Sequence, residues 1–95
     1  MSEKIDAAVK ALQARLGDGF DGSAKFVIGD EGAVMVDSQG ARAGNEDADV
    51  VLSADAETFE AILGGELDPT AAFMSGRLSV DGDMGLAMKL GSALS

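Results

Sequence analysis

Ile5, Ala8, Val9, Leu12 and Leu16 recur at spacings of three and four, the apolar stripe of an amphipathic helix. Lys4, Lys10, Gln13 and Arg15 fall outside that stripe. Ser2 is placed to cap the helix and Gly17 to end it. The period then changes from 3.6 to 2. Ala24, Phe26 and Ile28 share one face of a strand, and Lys25 and Val27 share the other. Gly29-Asp30-Glu31-Gly32 is a turn, and Ala33-Val34-Met35-Val36 resumes as a second strand, so the two runs form a hairpin. Ser38-Gln39-Gly40 turns again into a weak third strand over 41–44. The polar loop Asn45-Glu46-Asp47-Ala48 leads to Asp49-Val50-Val51-Leu52-Ser53, whose β-branched residues predict a fourth strand.

The second half is mostly helical. Asp55 caps a helix over 56–63 with Phe59, Ile62 and Leu63 inward, and Gly64-Gly65 stops it. Asp68 followed by Pro69 starts a short helix, with Asp at the N-cap and Pro at the first helical position. Its apolar content is Ala72, Phe73 and Met74, and Gly76 ends it. Leu78 and Val80 alternate with Arg77, Ser79 and Asp81 in a last strand, and Asp83 caps a terminal helix. The order α-β-β-β-β-α-α-β-α, with strands clustered early and helices late, predicts an α+β fold built on one sheet. No repeat, linker or low-complexity tract divides the chain, and its length suits one domain over 1–95.

The terminal helix is the unusual element. Met84, Leu86, Met88, Leu90 and Leu94 make it apolar on nearly every side, with Lys89 its only charge. Gly85 and Gly91 weaken it. Its burial gain and its ordering cost are close. Such a helix either covers something or is covered, and an apolar ligand beneath it would stabilise it. Met35, Met74, Met84 and Met88 are flexible, polarisable side chains suited to variable apolar shapes.

Composition narrows the chemistry. Seventeen acidic residues against seven basic ones leave a formal charge of −10. That opposes nucleic-acid binding, which rests on neutralising phosphates, and strong docking on anionic membranes, which needs basic clusters. Histidine, cysteine, tryptophan and tyrosine are absent. The usual neutral-pH base, the thiolate nucleophile and the commonest transition-metal ligands are therefore missing. No enzyme activity, cofactor or metal is expected. No apolar run is long enough to span a bilayer, and the start Met1-Ser2-Glu3-Lys4-Ile5-Asp6 is too polar for a signal peptide. Cytoplasmic residence is the expectation.

Two motifs lose their chemical reading on context. Gly17-Asp18-Gly19-Phe20-Asp21-Gly22 matches G-x-G-x-x-G, but it follows a helix and opens a strand, the reverse of a dinucleotide site. Asp81-Gly82-Asp83 is a turn plus a helix cap; a calcium loop needs more oxygen ligands and a distal Glu.

Gly65-Glu66-Leu67-Asp68-Pro69, then Ala72-Phe73-Met74-Ser75-Gly76-Arg77-Leu78-Ser79-Val80-Asp81-Gly82-Asp83, then the apolar helix, resembles the sterol carrier protein 2 (SCP-2) family of lipid-binding domains. The resemblance runs over nearly the whole chain, and its most specific part is 49–90. It implies a five-stranded sheet covered on one face by helices, with an apolar cavity between. It implies non-catalytic binding, extending to transfer, of a fatty acid, fatty acyl-CoA, phospholipid or sterol. Carried onto this chain, the cavity residues would be Phe59, Leu63, Phe73, Met74, Met84, Ala87 and Met88, with Phe26, Ile28 and Val36 from the sheet. The chain ends Ala93-Leu94-Ser95 and not Ser-Lys-Leu, so no peroxisomal address is expected. The implied partner is a lipid or acyl chain, with the protein a monomer or weak homodimer. The alternative is the same fold with a filled core, serving as an interaction or accessory module of a partner enzyme.

Overall fold

The computed structural model describes residues 3–17 and 19–94. Helix α1 spans Glu3–Leu16. Strands β1 (Ala24–Ile28), β2 (Gly32–Asp37), β3 (Gly40–Ala43) and β4 (Val50–Ala54) follow. Helices α2 (Ala56–Leu63) and α3 (Pro69–Met74) precede strand β5 (Ser79–Gly82), and helix α4 (Met84–Leu94) closes the sequence. The element order is the expected one. The predicted cap at Ser2 lies outside the described residues.

Five strands form one sheet in the order β3-β2-β1-β4-β5. All neighbours are antiparallel except β1 and β4, which run parallel. Phe26 stands between Val34 and Leu52, and Ala24 between Val36 and Val50. Because side chains alternate across a strand, these residues share one face, and all six are buried. That face carries the helices. Helix α1 packs on β2 and β3, while α4 packs on β4 and β5. Ile5, Ala8 and Leu12 are the buried stripe of α1, as its spacing predicts.

The opposite face is not bare. Met35 pairs with Lys25 across β1 and β2, so it points away from the helices, yet it is buried. The connection from β3 to β4 must cross β2 and β1 to reach its parallel place, and it runs over Met35. The Glu46 N–H donates to Met35 Sδ at 3.5 Å, and Lys25 Nζ donates to Asn45 Oδ1 at 3.0 Å. The polar loop of the sequence is thus a lid on the outer sheet face.

Caps set the helix boundaries. Asp55 Oδ1 accepts the Thr58 N–H at 2.7 Å and starts α2. Asp68 stands at the N-cap position of α3 with no side-chain cap bond, so the pre-set φ of Pro69 carries that start. Asp83 Oδ1 accepts the Leu86 N–H at 3.2 Å and starts α4. The residue before it, Gly82, has φ +105°, and a Cβ there would collide with the Asp49 carbonyl. Only glycine lets β5 turn so closely past the start of β4.

Arg15 lies outside the buried stripe of α1, as its spacing predicts, yet it is more than a solvated charge. It is half-buried, and its Nη1 donates to the Leu94 carbonyl at 2.8 Å while Nη2 donates to the Leu63 carbonyl at 2.9 Å. The long side chain reaches across the ends of two other helices, which spacing along α1 does not reveal.

Candidate functional site

Between the helix-bearing sheet face and α2, α3 and α4 lies a cavity of about 470 Å³, within the roughly 300–1,000 Å³ of small-molecule sites. Phe26 of β1, Leu52 of β4 and Val80 of β5 form its floor, with Leu78 beside them. Phe59 and Ile62 of α2 form one wall. Pro69, Thr70, Phe73 and Met74 of α3 stand on a second, and Met84, Ala87, Met88, Gly91, Ser92 and Leu94 of α4 on a third. Not one of these side chains is charged. Phe26 and Phe59 meet edge to face, with centroids 5.7 Å apart and planes at 64°, a favoured aromatic geometry.

The deep wall and the rim differ. Phe26, Leu52, Phe59, Ile62, Leu78 and Leu94 are buried. Phe73 (44%), Met74 (80%), Met84 (48%) and Met88 (73%) are exposed. Among the described residues, every exposed large apolar side chain therefore stands on this one cavity. Scattered exposed apolar residues need no explanation, whereas a contiguous set does.

Helix α4 divides its apolar residues between two tasks. Leu86, Leu90 and Leu94 recur every four positions; Leu90 and Leu94 are buried and Leu86 is half-buried. Leu86 also closes on Gly22, where a Cβ would meet its methyls at 2.9 Å. Gly22 has φ +130°, a backbone conformation that favours glycine, which explains one glycine of the apparent dinucleotide motif. Met84, Ala87, Met88 and Gly91 follow a neighbouring stripe over the cavity. Met84 and Met88, expected over the cavity, stand there as its solvent-facing rim. Lys89 lies away from the cavity, 3.9 Å from Asp21.

Seven of the ten residues that the sequence pointed to line this cavity: Phe26, Phe59, Phe73, Met74, Met84, Ala87 and Met88. Ile28 and Leu63 line a second space of about 220 Å³ between α1 and α2. Phe59 borders both and separates them. Val36 lines neither. It is fully buried on β2, the strand α1 packs against. Leu52, Ile62, Leu78, Val80, Pro69, Thr70, Gly91, Ser92 and Leu94 also line the larger cavity and are not among the cavity residues expected from the sequence. Leu78 and Val80 carried a signal in their alternation, whereas Leu52 becomes a neighbour of Phe26 only through the parallel pairing of β1 and β4.

The perturbed carboxyls lie away from the cavity. Hydrogen bonds from Thr58, through its side chain and then its backbone, hold the Asp55 carboxyl below its ordinary value. The Gln39 N–H, then the Arg42 side chain, do the same for Asp37. Among the described residues no three His, Cys, Asp or Glu side chains group as a metal site would. No helix among them is long and apolar enough to cross a membrane.

A five-stranded sheet with an apolar cavity held under its helices defines a class of small ligand-binding α+β domains. The chain belongs to the SCP-2 sterol transfer family, whose model matches residues 2–95. Hydroxysteroid dehydrogenase-like protein 2 of Danio rerio is 63% identical over 43 residues, covering 45% of this chain and 10% of that protein. The match thus takes in about a tenth of that curated relative's length. The solution structure of palmitated SCP2L2 from Aedes aegypti superposes with a TM-score of 0.79 at 23% identity, covering 99% of this chain and 95% of that one. Sterol carrier protein 2 of the same organism, in complex with palmitate, superposes with a TM-score of 0.78 at 21% identity, covering 100% and 97%.

Proposed function

We propose that this protein binds the hydrocarbon chain of a lipid in the larger cavity and does no covalent chemistry on it. The observation that carries the reading is the wall: about 470 Å³ with no charged lining residue, opening at a rim of exposed Phe73, Met74, Met84 and Met88. Each methylene moved from water into such a space contributes about 0.8 kcal/mol, less the cost of immobilising the chain. Flexible methionines at the rim let the wall adjust to tails of different shape. Palmitate complexes of two structural neighbours support the same assignment.

The test is native mass spectrometry of the purified protein, then titration of delipidated protein with a fluorescent fatty alcohol and a fluorescent fatty acid. Saturable binding at micromolar protein is expected. Absence of co-purified lipid together with no saturable binding of either probe would overturn the reading.

A second role rests on the relative's name and length. The stretch similar to this chain is a small part of a protein called hydroxysteroid dehydrogenase-like. In that setting the cavity would hold a lipid for a catalytic partner, with the exposed rim as the side from which it is handed over.

A further inference from the structure

We propose that the cavity selects lipids with an uncharged head group, holding a long-chain alcohol more tightly than the carboxylate with the same tail. This rests on the lipid-binding reading above and specifies its ligand. The first ground is the wall, whose polar side chains are the hydroxyls of Thr70 and Ser92. Hydroxyls match an alcohol or ester oxygen, whereas a buried carboxylate needs a cation or several aimed N–H donors.

The second ground is where the cations are. Arg15 is committed to the Leu63 and Leu94 carbonyls. Lys4 faces Glu60 beside the smaller space, and Lys25 reaches Asn45 on the outer sheet face. Arg42 pairs with Asp37, Lys89 faces Asp21, and Arg77 reaches the Thr58 hydroxyl at 3.5 Å. Lys10 borders a surface depression on α1 with Asp6. None of the seven lines the larger cavity.

The third ground is the two helix starts beside it. A helix N-terminus is a ready place for an anion. Asp83 Oδ1 already accepts from the first turn of α4, and Asp68, though it makes no cap bond, places a negative charge at the start of α3. An anionic head group left at the mouth stays in the field of a chain of charge −10. At physiological ionic strength that field weakens binding of a monoanion by roughly fivefold, and of a polyanion such as a coenzyme A ester by far more.

The experiment displaces a neutral fluorescent probe from delipidated protein with 1-dodecanol or dodecanoate at pH 8, in 50 mM and in 1 M NaCl. Dodecanol is expected to bind at least fivefold more tightly at low salt, with the gap narrowing at high salt, where screening is nearly complete. Thr70→Lys, which puts a cation on the wall, is expected to lower the dodecanoate-to-dodecanol Kd ratio. Dodecanoate binding as tightly as dodecanol at low salt overturns the inference and leaves lipid binding standing. Displacement by neither ligand overturns both.

Discussion

Arg15→Gln tests whether three helices are held together by one side chain. Leu63 and Leu94 are the last residues of α2 and α4, and Arg15 lies in the last turn of α1. Three helix C-termini, each with partial negative charge, therefore converge on one guanidinium. Its bonds to the two carbonyls, at 2.8 and 2.9 Å, are short and charge-assisted. Glutamine is shorter and neutral and keeps at most one of them. A hydrogen bond to a charged group contributes about 1.5–3 kcal/mol. Arg15 is half-exposed, so water recovers part of the loss, and the two bonds together are set at about 2 kcal/mol. At roughly 4–8 °C per kcal/mol for a domain of this size, the thermal midpoint falls by about 8–16 °C. Lys10→Gln is the control. It removes the same charge from an exposed position on the same helix and is expected to stay within about 0.5 kcal/mol of the parent. The assay is thermal unfolding by circular dichroism at pH 7. If the two variants melt within about 2 °C of one another, the clamp is not a stabilising device and the reasoning fails.

Phe59→Ala removes the partition between the two spaces; it should cost about 3–5 kcal/mol and, in a crystal structure, join them. An unchanged urea midpoint would contradict its place in the core. Met84→Gln with Met88→Gln alters only rim residues, so stability should move by less than about 1 kcal/mol while lipid affinity drops several-fold; equal affinity would remove the rim from the site. Stability should also fall in acid. The Asp55 and Asp37 carboxyls sit below their ordinary 3.8 in the fold, so their contribution is whole above that value and is lost as pH falls through the lowered one. Asp55→Asn keeps the cap but does not titrate, and urea midpoints between pH 5 and pH 2.5 should then depend less on pH than in the parent.

Period and punctuation were enough to place the elements. Asp55 and Asp83 begin helices as their positions suggested, and α2 has the bounds that its cap and its glycine pair implied. What alternation reports is the face of a strand, not its neighbour. Val36 shows the difference. It points to the helix side of the sheet, as read, but β2 lies under α1, whereas the cavity occupies the half of the sheet formed by β1, β4 and β5. Ile28 and Leu63 likewise fall on the α1 side of Phe59. Separating these residues requires knowing that β4 returns to pair in parallel with β1, a contact between distant segments that local pattern does not encode. Met35 has the same cause, since its burial depends on a loop crossing the outer face.

The terminal helix carries the physical argument furthest. A helix with one apolar stripe can dock and nothing more. Helix α4 has two, and they do not compete, because Leu90 and Leu94 are buried while Met84 and Met88 remain exposed. Its docking is thus already satisfied by the leucines, its aspartate cap and the Arg15 bond at its far end. The methionine stripe contributes little to holding it there. A ligand beneath that stripe gains contacts that the empty protein leaves unmade, and binding need not undo any part of the core to reach them. Apolar surface spared from the core in this way is what a binding wall requires. The same division separates mutations that unfold the protein from those that only weaken its ligand.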